Sequence, residues 1–366
     1  MDRIFLSPPH MSGKEQQYIA EVFESNYIAP MGAFVNHFED AIKEYTGTGH
    51  ALALSSATAG IHLALRVLGI THGDYVLTSS FTFIGSVNAI VYQNAQPIFI
   101  DSDESWNISP ELLKRAIQEA PTKPKALIIT HLYGQVCALH EIVNICKEEG
   151  IYLIEDAAES LGASYHGQQS GTFGDFGVYS FNGNKILSTS GGGMLVSSNQ
   201  EWIEKAKFFA TQAKENQIFY EHKEFGYNYR MSNVLAAIGV AQMEVLAQRV
   251  ARKKDIFNRY KQHLCSSNEI KFMPEIRGGN GNRWLTTLTL EKTSPVQLIQ
   301  ALEKCNIESR LLWKPMHMQP LFLKSIHVVD GTSEQMFNTG ICLPSGTAMS
   351  DNDIERVCQV IKKVLT

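Results

Sequence analysis

The sequence predicts an α/β protein with a mostly parallel central sheet, helices on both of its faces, and a smaller C-terminal α+β domain. Two observations carry this expectation. Short apolar, strand-like runs near 75 to 79, 97 to 101, 125 to 131, 151 to 156, 176 to 181 and 193 to 197 alternate with helical stretches such as 139 to 149 and 201 to 213, the order that strand-helix crossovers produce. The chain is also long, 366 residues with 44% hydrophobic content and no repeat or low-complexity tract, enough for a large core and a second domain. Residues 10 to 245 are read as the large domain, 246 to 366 as the small one, and 1 to 9 as an N-terminal arm. The join is an apolar helix that begins near Ser232 and runs into the charged QRVARKKDIFNRYKQHL, 248 to 264.

The first element with chemical content is ALALSSATAGIHLALRVLG, 51 to 69. It reads as a short strand, a turn of small residues, and a helix with Ile61, Leu65 and Leu68 on one face. Small residues at a helix start leave free amides and the positive end of the macrodipole facing outward, and the Thr58 hydroxyl adds a donor, so the turn suits a phosphate. The competing reading has Ser55, Ser56 and Thr58 as helix caps. The aromatic segment SSFTFIG follows at 79 to 85, and His131 follows a strand in ITHLYGQ. His131 is expected on the same rim as the acids described next, with a hydrogen-bonded structural histidine as the alternative.

The segment IYLIEDAAESLG, 151 to 162, is a strand that ends in Glu155 and Asp156, with Glu159 beyond it. Ligands collect at the carboxyl ends of strands in open parallel sheets. A carboxylate there can pair with a protonated ring nitrogen and keep a cofactor cationic; capping the next helix or holding a metal are the other uses of such acids. No His or Cys cluster with ligand spacing accompanies them, so no metal is expected. In YSFNGNKILSTSGGGM, 179 to 194, Lys185 sits between a strand and three glycines. Glycines let the backbone approach a flat ring or a phosphate, and an amine in apolar surroundings loses its proton more easily than one in water. Lys185 is therefore a candidate Schiff-base nucleophile, against the reading of a solvated surface charge.

The remaining composition narrows the partners. A net charge of −5 gives no sign of nucleic acid, and the basic run Arg249 to Lys254 is read as a solvated helix face. Cysteines at 137, 146, 265, 305, 342 and 358 show no paired spacing and, with no signal peptide read, are expected as reduced thiols, mostly core fillers, in a cytoplasmic protein. No apolar run approaches about 18 residues, so no membrane span is expected.

Phosphate turn, aromatic segment, acid after a strand, then strand and lysine, in that order, resembles the pyridoxal-phosphate aminotransferases of fold type I. Within them it resembles the DegT/DnrJ/EryC1/StrS sugar aminotransferases. The likeness runs from SPPHMSG (7 to 13) through NYIAPMG (26 to 32) and GYNYRMSNVLAAIG (226 to 239) to ICLPSGTAMS (341 to 350). FNGNK followed by STSGGGM points to the bacterial enzymes that aminate C4 of UDP-4-keto-6-deoxy-N-acetylglucosamine in bacillosamine-type pathways.

The resemblance implies pyridoxal 5'-phosphate (PLP) as cofactor, its pyridoxamine form (PMP) as intermediate and L-glutamate as amino donor. It assigns covalent attachment and proton transfer to Lys185, the pyridine nitrogen to Asp156, the phosphate to Ala57, Thr58 and Ser180, and ring stacking to Phe81, where an ordinary core aromatic is the alternative. Asn228 would reach the phosphate of a neighbouring subunit, which implies a homodimer with shared sites. Glu159 replaces the Gln that many relatives hold near the phenolic oxygen, so a shared proton or a raised pKa is expected. The turn Ser190 to Gly193 replaces GEGG, and Lys185 instead of His argues against the related dehydratases. Substrate contacts are expected from His131, Asn182, Arg230, Arg310, Trp313, Lys314 and His317; surface ion pairs compete for the charged ones, and Trp313 either stacks on uracil or packs in the small domain. A dTDP- or GDP-linked keto-hexose is the nearest alternative substrate, and a non-catalytic nucleotide-sugar sensor the alternative class.

Overall fold

Eight strands form the central sheet of the computed structural model, which describes residues 2–365. In spatial order they are His50–Leu54, Gly193–Ser197, Phe176–Ser180, Tyr152–Asp156, Ala126–Thr130, Tyr75–Ser79, Gln96–Ile100 and Ile326–Val328. Gly193–Ser197 runs antiparallel to both neighbours, and every other pairing in the sheet is parallel. Parallel strands are covered on both faces, which is why ALIIT is buried at all of its positions. The period of two then sorts its side chains: Ala126 and Ile128 enter the core under the helices Ala57–Val67 and Gln200–Ala210, while Leu127 and Ile129 enter the opposite core under Pro110–Glu119 and Leu139–Glu149.

The expected strands are found within a residue of their predicted ends, and helix 139 to 149 is found as expected. The helix expected over 201 to 213 is Gln200–Ala210, capped by the Asn199 side chain, which accepts from the Trp202 N–H at 3.2 Å. It stops early because Gln212 and Ala213 take left-handed backbone angles, φ 65° and 52°. The helix expected to run on from Ser232 is instead two, Asn233–Met243 and Leu246–Leu264, bent by 62° at the break. The second of these turns Ile256, Tyr260 and Leu264 into the core of the small four-stranded antiparallel sheet, beside Leu298, Leu302, Val357 and Ile361. Its basic run is not a uniformly solvated face, because Lys253 is only 2% exposed. Among the described residues no single helix is long and apolar enough to cross a membrane.

Two segments cross the expected domain division. Ile326–Val328 pairs with Gln96–Ile100, so chain beyond residue 246 completes the large sheet. The arm is not loose: Glu308 N–H donates to Ile4 O at 2.8 Å and Ser345 N–H to Leu6 O at 2.7 Å, which fastens it to the small domain. The strand crossover is locked by Asp101, fully buried, whose carboxylate accepts from the N–H groups of Asp330, Gly331 and Ser333 at 3.0 to 3.1 Å. Asp101→Ala would strand these buried donors and is expected to lower the unfolding free energy by about 3 kcal/mol. Urea unfolding checks this, and an unchanged midpoint would contradict the role given to Asp101.

Candidate active site

The carboxyl ends of Tyr152–Asp156 and Phe176–Ser180 and the N-terminus of the helix Ala57–Val67 converge on a cavity of about 750 Å³. Helix cap and cavity wall share one turn. Ser56 is the cap, accepting from the Ala59 N–H at 3.0 Å, and Ser55, Ser56, Ala57 and Thr58 all line the cavity. The glycine run is used position by position. A Cβ on Gly193 would lie 2.4 Å from the Ala57 nitrogen, so that glycine lets the Gly193–Ser197 strand pass the helix start, while a Cβ on Gly191 would meet nothing within 4 Å.

Lys185 reaches the cavity from the turn after Phe176–Ser180, with its side chain 12% exposed. Its Nζ stands 3.4 Å from Glu159 Oε1 and 4.1 Å from the centre of the Trp284 ring. Glu159 Oε2 accepts from the Tyr133 N–H at 2.7 Å. Burial pushes the Glu159 carboxyl up to about 7, helped by the charge on Asp156 and opposed by the Lys185 ammonium and the Tyr133 N–H. Asp156 lines the same cavity and is oriented by the Ser86 hydroxyl at 2.5 Å and the Ala158 N–H at 3.0 Å. Ser86 is tied in turn to Thr82 at 3.0 Å. Ser180, Asn182, Arg310 and Trp313 also line the cavity; Arg310 is paired with Glu308 at 2.8 Å and Trp313 lies 5.3 Å from the Phe83 ring.

Several expected contacts are not part of this cavity. Phe81 is 1% exposed, in a core cluster with Trp106, Tyr133 and Leu312, whereas Phe83 is 54% exposed and lines the cavity. The backbone turns at Ser80 to Thr82, which sends Phe81 inward and leaves Phe83, the residue before the helix Ile84–Tyr92, at the mouth. His131 is fully buried on the other side of the sheet: its Nε2 bonds Glu155 Oε2 at 2.9 Å while Nδ1 accepts from the Cys137 N–H at 3.2 Å. Adjacent strand residues point to opposite faces, so a partner of Glu155 cannot share a rim with Asp156. His317 is a structural histidine between Ser80 Oγ at 2.6 Å and Glu334 Oε1 at 3.0 Å. Arg230 gives its charge to Glu39 at 2.9 Å and to the Ala53 carbonyl at 3.0 Å. Lys314 does not line the cavity either, and Asn228 is exposed outside it.

Residues 5 to 8 of the arm and Trp284 line the cavity without having been expected there. SPPHMSG marked the arm as a motif, but NRWL carries no pattern that singles out Trp284.

An amine, a carboxylate at a strand end, an aromatic ring and a helix N-terminus around one cavity fit PLP as a donor set: Ala57, Thr58 and Ser180 suit its phosphate, Asp156 its pyridine nitrogen, and Lys185 its aldehyde. Fold and site together define a PLP-dependent transferase of fold type I. The chain belongs to the DegT/DnrJ/EryC1/StrS aminotransferase family, whose model matches residues 9–362. It is 52% identical to the protein named "Putative pyridoxal phosphate-dependent aminotransferase EpsN" of Bacillus subtilis (strain 168), covering 98% of this chain and 95% of that one. It is 35% identical to a GDP-perosamine synthase of Vibrio cholerae over 97% of each chain. The crystal structure of the aminotransferase TlmJ from Streptoalloteichus hindustanus superposes with a TM-score of 0.93 at 27% identity, covering 99% of this chain and 98% of that one. The protein is a PLP-dependent sugar aminotransferase.

Two expectations follow from this geometry. An unfolded glutamate releases its proton near 4.5 and Glu159 near 7, so between these values the folded state keeps a proton that the unfolded state has lost. Raising the pH through that window therefore costs the native state about 3 kcal/mol through this group. Glu159→Gln is expected to remove that loss, read from urea midpoints at pH 5 and pH 8; parallel pH profiles for the two proteins would sink the assignment. Phe83→Ala is expected to weaken PLP binding about tenfold through lost ring contact, whereas Phe81→Ala lowers stability by about 3 to 4 kcal/mol. PLP titration and thermal unfolding separate them, and the reverse pattern would return the stacking role to Phe81.

Proposed function

We propose that the chain is a cytoplasmic enzyme that moves the amino group of L-glutamate to C4 of UDP-4-keto-6-deoxy-N-acetylglucosamine, giving a UDP-4-amino sugar. The observation that carries the reading is Lys185 facing Glu159 at 3.4 Å, in the cavity that Asp156 also lines. PLP, when bound, supplies the electron sink for the carbon that loses its proton. Lys185 Nζ is the group that takes up and returns that proton. Glu159 Oε1 is placed to hold a proton beside it, since burial keeps its carboxyl at about 7. Asp156, oriented by Ser86 and the Ala158 N–H, offers an acceptor to the ring N–H, and the Ala57 and Thr58 amides with the Ser180 hydroxyl offer donors to the phosphate. Leu6, Pro8 and Trp284 wall the cavity and keep bulk water from one side of it.

The sugar assignment rests on the FNGNK and STSGGGM segments, on a cavity of about 750 Å³, and on Arg310 and Trp313 in its lining, a cation for a diphosphate and a ring for a base. A GDP-linked keto-hexose is the second reading, favoured by the full-length match to a GDP-perosamine synthase. The proposed homodimer is supported by Asn228, exposed outside its own cavity, and by the exposed apolar side chains of Ile218, Phe219, Tyr220 and Phe225 nearby in sequence, a patch that calls for cover.

The test is the visible absorbance of the PLP-loaded protein on addition of L-glutamate and then of UDP-4-keto-6-deoxy-N-acetylglucosamine. The band is expected to fall with the first and return with the second. A band that glutamate bleaches but only a GDP-linked 4-keto sugar restores would overturn the UDP assignment. Lys185→Ala is expected to lower turnover at least about a thousandfold; a variant that transferred normally would overturn the role of that amine.

A further inference from the structure

We propose that Lys253, remote from the reacting groups, is a positioning residue that locks the N-terminal arm and Trp284 against the Lys185 turn. Its ammonium is buried in the helix Leu246–Leu264 and has no anionic partner among the described residues. It donates to the Ser7 hydroxyl at 3.0 Å and to the Trp284 carbonyl at 2.9 Å. The Ser7 hydroxyl donates onward to the Asn184 carbonyl at 3.1 Å, and the Trp284 Nε1–H donates to that same carbonyl at 2.7 Å. Asn184 immediately precedes Lys185, whose amine lies over the Trp284 ring at 4.1 Å. One cation thus joins three segments that are far apart in sequence and that all line the cavity.

A cation buried without a counter-charge is costly, and burial pushes this one down to about 7. An apolar side chain would avoid that cost. It would also leave the Trp284 carbonyl without its donor and take from Ser7 one of its two partners, loosening the stretch from Phe5 to Pro8 that closes one side of the cavity. The arm is also fastened toward the small domain, at Asp2, Arg3, Ile4 and Leu6. Ser7 ties the arm to the chain that carries Lys185, and Lys253 braces that tie by holding the Ser7 hydroxyl and the Trp284 carbonyl together.

The lock is tested on the PLP-loaded holoenzyme with Lys253→Met, Ser7→Ala and the double variant. Tryptic cleavage after Arg3 is read alongside KM and kcat for the keto sugar. In Lys253→Met, with PLP content retained, cleavage is expected to accelerate about tenfold and KM to rise about tenfold, the worth of a charge-assisted bond, while kcat changes by less than about threefold. Ser7→Ala moves both in the same direction, and the double variant falls short of the sum of the two single effects, because both remove the Lys253–Ser7 bond. Unchanged cleavage in Lys253→Met, fully additive effects, or a fall in kcat without a rise in KM would overturn the proposal. Should Lys253→Met not fold, Ser7→Ala decides, and wild-type resistance in it overturns the lock. The KM arm rests on the proposed sugar; the cleavage arm does not, so failure of that substrate assignment and failure of the lock are told apart.

Discussion

The end of the Tyr152–Asp156 strand imposes a constraint on which most of the site depends. Two carboxylates stand there in succession, and the pleat sends them to opposite faces of the sheet. Glu155 is fully buried and accepts from the N–H groups of Gly171, Phe173 and Gly174, at 2.6 to 2.8 Å, as well as bonding His131. That carboxylate holds the loop leading into Phe176–Ser180, the strand from whose end Lys185 departs. Asp156, on the other face, is left for the cavity. A one-residue slip of this strand would exchange the two roles and bury the wrong acid.

Around that strand the cavity is assembled from parts with separate supports. The end at the helix start depends on backbone proximity: Ser56 caps the helix, Ala57 and Thr58 line the cavity, and Gly193 leaves room for the Ser56–Ala57 backbone against its strand. The amine end depends on electrostatics in a dry setting. Glu159 sits near neutrality because burial outweighs the nearby ammonium, so the Glu159–Lys185 pair can share a proton where two fully charged groups would be costly to desolvate. The open end depends on the small domain, which brings Arg310 and Trp313, and on the arm, which is bound to that domain.

The family membership also gives the departures from the expected contacts a physical meaning. His131 and His317 are bonded at both ring nitrogens, and Arg230 is held through one guanidinium nitrogen by Glu39 and the Ala53 carbonyl. Each meets the demand that a buried polar group be satisfied, and each does so without a substrate. Arg310, by contrast, is paired among the described residues with Glu308 alone and remains mostly exposed. It is the charged member of the expected set that keeps both its charge and its access to the cavity.

How much was legible follows from the range over which each signal acts. Strand and helix periods, the small-residue turn before Ile61, the acid that closes a strand and Lys185 before three glycines are local patterns, and their placement depends on neighbours within a few residues. Those patterns carried the α/β class and singled out Lys185, Asp156 and Thr58, which line the cavity; their order carried the family resemblance that implied the cofactor and drew attention to Glu159, which stands beside Lys185. Tertiary structure decided which of Phe81 and Phe83 lines the cavity, since they stand on either side of one turn and only one of them is drawn into a core. It also decided that Trp284, Ser7 and Lys253 gather behind Lys185. Their contacts span up to 246 residues of chain, a separation over which no periodicity or spacing carries information, because folding alone brings such segments together.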